Sequence, residues 1–282
     1  MSDVAAPGLG GSPYQDLHIY YVEGRVDVAP GEVGASYIGN WVEDGYSFLF
    51  FSQPARESVE RILTTQPGRV LVDEYRMRYE DWLGERFKRF SVGKFLIVPP
   101  WDPSPDDGGA TARIVLDPGV VFGTGTHPTT RDCLELIEQV CKGDTIRTAV
   151  DVGTGTGLLA LAAARAGCRR VIAFDFNFLA ARTAIRNVAL NGLSRNVLVF
   201  QGKAEEAACI PADLMIANIH FEVMMGMLAS DAADGKRWLI LSGLLRSQAA
   251  EVRRRLLAES VEIAAHRERD GIWHTFLGRV RR

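Results

Sequence analysis

The sequence predicts an α/β protein: a mostly parallel seven-stranded sheet closed by an antiparallel C-terminal hairpin, preceded by a small α+β domain. Three observations predict it. Short apolar runs alternate with helical patterns from Thr148 to Ala258. The last two apolar runs are joined through Asp270-Gly271. A Pro/Gly-rich stretch, Pro99 to Gly109, separates this region from a differently patterned N-terminal part.

A chain of 282 residues suits one large domain with a smaller companion. With 47% hydrophobic and 24% charged residues and a net charge of −3, it lacks the basic excess of a bulk nucleic-acid binder, and no direct nucleic-acid binding is expected. No apolar stretch approaches the ~20 residues of a membrane span, and the N-terminus lacks the basic start of a signal peptide, so a soluble, cytoplasmic protein without a membrane partner is expected. Cys133, Cys141, Cys168 and Cys209 form no C-x-x-C pair, and the histidines share no ligand spacing. The expectation is reduced, buried thiols and no metal.

In chain order, residues 1–12 read as a flexible tail and 13–85 as the small domain. Leu17 to Glu23, Tyr46 to Phe51 and Val70 to Val72 have strand character. Pro54 opens a helical run with Val59, Ile62 and Leu63 on one stripe. Residues 86–109 form the connector, because four prolines and two glycines between Pro99 and Gly109 propagate neither a helix nor a central strand. Residues 110–282 form the larger domain. Its strands are expected at Thr148–Val152, Arg170–Phe174, Val197–Gln201, Asp213–Ala217 and Trp238–Ser242. Helices are expected at Leu158–Ala166, Leu179–Leu190 and Arg246–Ala258, giving right-handed βαβ units. Val261–Ala265 and Trp273–Val280 make the hairpin.

The sharpest motif is Asp151-Val152-Gly153-Thr154-Gly155-Thr156-Gly157, placed between a strand and a helix. Glycines there allow a tight turn and close approach of a ligand to the backbone. A dinucleotide fingerprint needs glycine where Leu158 stands. Asp175 ends the next strand, 24 residues after Asp151. Its carboxylate can accept hydrogen bonds from both hydroxyls of a ribose, or it can cap the following helix; the upstream glycine loop favours the ribose. Asn218, just past the fourth strand, falls in the ligand crevice of a doubly wound sheet. There it could position an incoming amine, or serve as a turn asparagine bonded to its own backbone. Upstream, Leu116 to Leu136 is a glycine- and threonine-rich loop leading into a helix that begins near Thr129 or Thr130. A helix N-terminus offers free N–H groups to a carboxylate; the plainer reading is a capped helix and a surface loop.

Glycine spacing preceded by an acid resembles the cofactor loop of class I S-adenosyl-L-methionine-dependent methyltransferases, whose domain is Rossmann-like. The resemblance then becomes specific. V-G-K-F-L-I-V-P-P-W (Val92 to Trp101), F-G-T-G-T-H-P-T-T (Phe122 to Thr130), A-N-I (Ala217 to Ile219) and L-S-G-L-L-R-S-Q (Leu241 to Gln248) are similar to the bacterial ribosomal-protein methyltransferases known as PrmA, which modify large-subunit protein L-eleven. The resemblance runs from near Trp82 to the C-terminus. It implies S-adenosyl-L-methionine as cofactor and a ribosomal protein as partner, N-methylated on lysine or α-amino groups. It implies cofactor contacts at Thr130, Gly153, Asp175 and Asn218, with Phe122 to Thr126 as a cover; Thr126, Asp151 and Gly155 complete the expected cofactor-binding set, and Asn218 is the candidate for positioning the amine.

Three departures from the family stand out: His220 in place of an apolar residue, Gly202-Lys203-Ala204 in place of an acid near the adenine, and the glycine-rich Gly24–Ala35 in place of an opening strand–helix unit. They keep two other functions in view, a methyltransferase for a small molecule or RNA and a cofactor-binding protein without turnover. His220 is a candidate general base; a packing or capping histidine is the competing reading.

Overall fold

The computed structural model describes residues 14–29, 31–83, 87–102 and 112–281; the expected tail at residues 1–12 and residues 86 and 103–109 of the expected connector lie outside them. The chain divides into two compact units. One comprises Met1–Lys88, Trp101–Pro103 and Asn177–Leu179; the other comprises Arg89–Pro100, Ser104–Phe176 and Ala180–Arg282.

The first unit contains β1 (Asp16–Glu23), β2 (Tyr37–Glu43), β3 (Tyr46–Phe51), α1 (Arg56–Thr64), β4 (Val70–Arg78) and the short α2 (Tyr79–Trp82). Its strands form an antiparallel sheet in the order β2-β3-β1-β4. Asp44 and Gly45 both take positive φ, 49° and 83°, the conformation a two-residue hairpin needs. One side of the sheet packs Tyr20, Val22, Leu49 and Phe51 against Val59 and Ile62 of α1. Two features differ from the sequence reading. β2 lies where no strand is expected, and β4 continues past Val72 to Arg78 because β1 pairs with it along its length.

The second unit opens with β5 (Phe90–Val92), β6 (Phe95–Val98) and β7 (Ala112–Val115), a small sheet in which β6 and β7 run parallel. Residues 90–98, read from sequence as connector, are thus regular strands. Val92, Phe95, Leu96, Ile97 and Val98 are buried, and burial of such a run favours pairing over a free linker. There follow α3 (Pro128–Gly143), β8 (Thr148–Val152), α4 (Leu158–Arg165), β9 (Arg170–Asp175), α5 (Phe178–Leu190), β10 (Val197–Gln201) and β11 (Leu214–Asn218). The chain continues through α6 (Phe221–Ala229), β12 (Trp238–Leu244), α7 (Arg246–Ala258), β13 (Val261–Arg269) and β14 (Trp273–Val280).

The large sheet has seven strands in the order β10-β9-β8-β11-β12-β14-β13. Strands β8 to β12 are parallel, while β14 runs antiparallel to both β12 and β13. The C-terminal hairpin turns at Asp270 and Gly271, both with positive φ. On one side of the sheet, Val150, Met215, Ala217, Leu239 and Leu241 meet Met224, Met227 and Leu228 of α6 and Val252 and Leu256 of α7. Among the described residues no helix is long and apolar enough to cross a membrane.

Candidate cofactor and substrate site

Strand order reverses at β8, which has β9 on one side and β11 on the other. The crevice at the carboxyl ends of these strands is the ligand position of a doubly wound sheet. The glycine loop fills this point. Gly153, Gly155 and Gly157 have φ of 67°, 54° and 85°, a region that carries a steric penalty for residues with a Cβ. A Cβ on Gly155 would stand 2.5 Å from the Phe122 carbonyl oxygen, and one on Gly153 would strike Ile219. The loop is therefore closed on two sides by backbone and side chain, and only glycine fits.

Two carboxylates hold the loop. Asp151 is 1% exposed. Its Oδ2 accepts a hydrogen bond from the Thr154 hydroxyl at 2.6 Å and from the Ala160 N–H at 3.1 Å. Its Oδ1 is buried with no partner among the described residues. Burial raises the Asp151 pKa to about 7. Asp175, the last residue of β9, accepts the Gly155 N–H at 3.0 Å through Oδ2. Capping of α5 falls to a different residue. The Leu179 N–H donates to Asn177 Oδ1 at 2.9 Å.

On the other side of the crevice, Asn218 ends β11. Its Nδ2 donates to the Thr130 hydroxyl at 3.3 Å, and its register partner on β12 is Ser242. A Cβ on Gly243 would lie 3.1 Å from both Asn218 Oδ1 and the Ile219 carbonyl, so the backbone of β12 approaches the asparagine closely. The side chain is thus held by α3 rather than bonded into its own turn. Thr130 is 1% exposed and sits within α3, which starts at Pro128 with His127 as N-cap. The His127 ring lies edge-on to Trp273 at 4.8 Å and to Phe122 at 5.7 Å.

Two loop-and-helix groups are thereby assembled: Asp151, Gly153, Gly155 and Asp175 at β8 and β9, and Thr130 with Asn218 at α3 and β11. Thr126 stands apart. It is exposed, and its hydroxyl pairs with that of Thr124 at 2.9 Å. His220 occupies the N-cap position of α6, exposed and without a side-chain capping bond. Among the described residues no cluster of His, Cys, Asp and Glu could hold a metal. Cys133 and Cys168 are buried, Cys141 is half-buried and Cys209 is exposed, so a uniformly buried set of thiols is not what the fold makes.

Sequence reasoning missed two residues, Asn187 on α5 and Asn191 just past its end. Asn187, fully buried, donates to the carbonyls of Asp117 and Thr156 at 2.8 Å each and accepts the Asp117 N–H at 2.8 Å. Asn191 makes the equivalent pair with Val115, at 2.7 and 2.9 Å. Together they suture the strand leading into the Phe122–Thr126 loop to α5 and to the glycine loop. Their i, i+4 spacing is visible in the sequence, but nothing local marks the distant backbone groups they bind.

Comparison with known proteins places these features. Residues 52–281 match the family model described as Ribosomal protein L11 methyltransferase (PrmA). A Ribosomal protein L11 methyltransferase from Desulforamulus reducens is 38% identical over 208 residues, covering 70% of this chain and 65% of the relative. One from Lacticaseibacillus paracasei is 35% identical over 211 residues, covering 73% of this chain and 66% of the relative. The matched stretch thus spans slightly less than two thirds of either relative's length. A crystal structure of ribosomal protein L11 methylase from Lactobacillus delbrueckii subsp. bulgaricus superposes with a TM-score of 0.59 at 27% identity, covering 69% of this chain and 100% of that one.

Proposed function

This chain belongs to the ribosomal protein L11 methyltransferase (PrmA) family, and from that membership we propose that it N-methylates lysine or α-amino groups of a ribosomal protein of the L11 type, using S-adenosyl-L-methionine. The observation that carries the reading is the pairing of the two carboxylates with the glycine loop at the switch point of the sheet.

The residues fit such a cofactor. Asp175 offers lone pairs to the ribose hydroxyls beside the loop it holds. The buried Oδ1 of Asp151 has no hydrogen-bond partner among the described residues and could take one from a bound cofactor. Gly153 and Gly155, where a Cβ would collide with Ile219 and Phe122, let the loop turn tightly beside Asp175. Thr130 and the N-terminal turn of α3 suit a carboxylate end. When bound, S-adenosyl-L-methionine supplies a methyl group already activated by its sulfonium.

The chain's own work is alignment and exclusion of water. The Asn218 amide, steadied by Thr130 and hemmed in by Gly243, keeps an oxygen at the carboxyl end of β11 that can accept a hydrogen bond from an amine. That contact fixes the direction of the nitrogen lone pair. A lysine amine with a free pKa of about 10.4 must also lose its proton, and a desolvated cleft lowers that cost by disfavouring the charged form. His220 lies exposed at the helix cap, a position from which it could relay the proton to solvent without itself being required.

Incubation with isotope-labelled cofactor and purified ribosomal protein L11, followed by mass spectrometry of its peptides, tests the proposal. Methyl increments on amine-bearing residues are expected. Cofactor binding without any increment on L11, or increments on RNA alone, would sink it.

A further inference from the structure

The candidate crevice lies at the carboxyl ends of the parallel strands; the opposite end of the same sheet carries arginine. Arg147 precedes β8, Arg169 and Arg170 lead into β9, and Arg195 stands just before β10. These strands are neighbours, in the order β10-β9-β8, so the four residues form one strip across their amino ends. Backbone bonds fix it. The N–H groups of Arg169 and Arg170 donate to the Arg147 carbonyl at 2.8 and 3.2 Å, and the Val171 N–H donates to the Asn196 carbonyl at 2.8 Å. The Asn196 amide donates in turn to the Arg169 carbonyl at 3.2 Å.

All four arginines are exposed, and none of them makes an ion pair with another described residue. Two ordinary reasons for surface arginine do not account for them. Cations at a helix C-terminus offset its dipole only within the last turn, and in α3 and α4 that place is held by Lys142 and Arg165. Arg195 lies beyond that range, past the loop that follows Leu190 of α5. Nor do acids neutralise the strip. Asp213 accepts the backbone N–H groups of Arg147 and Thr148 and pairs with Arg237, which also holds Asp144. The exposed Asp231 and Asp234 stand before β12, which β11 separates from β8.

Unpaired guanidinium groups on strands about 4.8 Å apart suit a ligand whose anionic groups repeat along a chain. A nucleic acid and an acidic polypeptide both offer that. Guanidinium matches phosphate oxygens in bidentate pairs. A stable protein interface also needs apolar or aromatic anchors at its centre. The loops at residues 144–147, 166–169 and 191–196 hold no exposed large apolar side chain. Base stacking needs aromatics that are equally absent there, which leaves contact with the phosphate chain and not with its sequence.

We propose that this arginine strip binds the phosphate backbone of RNA, whatever its base sequence. The net charge of −3, from which no nucleic-acid binding is expected, averages over the chain and hides a strip confined to one end of one sheet. The strip lies at the sheet end remote from the glycine loop, so RNA and cofactor do not compete for the same surface. RNA is named over DNA because a chain whose family acts on a ribosomal protein works beside RNA. That choice rests on the proposed function; the phosphate chemistry does not.

The test uses the full chain and a dye-labelled oligouridylate, with fluorescence anisotropy read across a salt series. The logarithm of affinity should fall against the logarithm of salt with a slope of about −2 to −3, since a single strand contributes about 0.7 per phosphate neutralised. Arg169→Ala should cut that slope by roughly 0.7, while Arg169→Lys keeps the charge and the slope. Arg147→Glu with Arg170→Glu should weaken binding by about tenfold or more. Arg253→Ala with Arg254→Ala, two exposed positions on α7, should leave it unchanged. Thermal midpoints and S-adenosyl-L-methionine affinity, read on the same variants, should stay at wild-type values, which separates loss of the strip from loss of the fold. Polyglutamate and oligodeoxythymidylate are titrated in parallel. Failure of oligouridylate to bind at low salt overturns the proposal, as does binding that survives the Arg147 and Arg170 reversals. Tighter, arginine-dependent binding of polyglutamate or of oligodeoxythymidylate overturns it as well. A chain that leaves L11 unmethylated would sink the proposed function, and the RNA titrations would still decide the strip.

Discussion

Asp151 and Asp175 hold the same loop under opposite demands. Asp175 has a backbone donor at 3.0 Å and sits where hydroxyl donors would arrive. Asp175→Ala should weaken S-adenosyl-L-methionine binding by roughly tenfold or more, since hydrogen bonds to a charged group contribute about 1.5–3 kcal/mol. Calorimetry reads this, and unchanged affinity would remove Asp175 from the site. Asp151 is the buried partner, with its pKa raised to about 7 by desolvation. The unfolded chain binds that proton only near pH 3.9. The folded state therefore retains a proton the unfolded state has lost, and stability should fall as pH rises from about 4 to about 7, then level off. Comparing urea midpoints of the wild type and Asp151→Asn across this range isolates the effect; parallel pH profiles would contradict it. A neighbouring position makes a negative prediction. Leu158 stands where a dinucleotide loop needs glycine, so NADH at micromolar concentration should produce no saturable binding, by fluorescence or calorimetry.

At the scale of elements, α5 is more than a crossover helix. Asn187 satisfies three buried backbone groups on two separate loops. Asn187→Leu keeps the volume but leaves those groups unpaired, at a cost of roughly 2–4 kcal/mol. Denaturant unfolding should show the loss, and cofactor affinity should drop with it because the glycine loop loses an anchor. The strands that sequence displays clearly are those written as short apolar runs between turn residues. β8 and β10 match the apolar runs Thr148–Val152 and Val197–Gln201 residue for residue. α6 escaped because Phe-Glu-Val-Met-Met-Gly-Met-Leu-Ala is apolar nearly all round and shows no helical stripe. β2 was hidden by Gly39 and Asn40, although Asp44-Gly45 was a usable hairpin signal. Around the candidate site, the place of the glycine loop between β8 and α4 and of Asp175 at the end of β9 was legible because turn chemistry and strand spacing coincide there. The Asn187 and Asn191 sutures were not, because their partners are backbone groups more than 30 residues away in sequence, which no local pattern encodes.

At the scale of the whole molecule, the candidate cofactor groups all lie in the second unit, which leaves the first to recognise the protein target. Deletion of residues 1–85 should therefore abolish methylation of the protein target while cofactor binding survives. Circular dichroism and thermal unfolding must show the truncated chain folded, since the cut could expose apolar surface. Full methylation of L11 by a folded truncation would show that the second unit selects the target alone. A buried ionic clasp bears on that folding. Arg267 and Arg269 of β13 reach Asp132 and Glu135 of α3, with Asp132 fully buried and Arg269 at 2.8 Å from it. Removing the carboxylate strands two cations that are only partly solvated, so Asp132→Ala should destabilise by about 2–3 kcal/mol, more than Glu135→Ala at the more exposed end.

The position of β14 sets an order of events during synthesis. It is made after every other strand, yet it lies between β12 and β13. A nascent chain that has not yet extended past Ala258 therefore presents β12 as a bare edge, with the backbone of Trp238–Leu244 open to pairing by another chain. Vectorial folding cannot finish this sheet strand by strand; the hairpin must be complete and released before it can slot in. The polypeptide is thus most prone to self-association while Trp238–Leu244 is exposed and the hairpin has not yet paired with it. Ribosome-profiled stalling in that window, with chaperone capture of the tethered chain, should coincide with it.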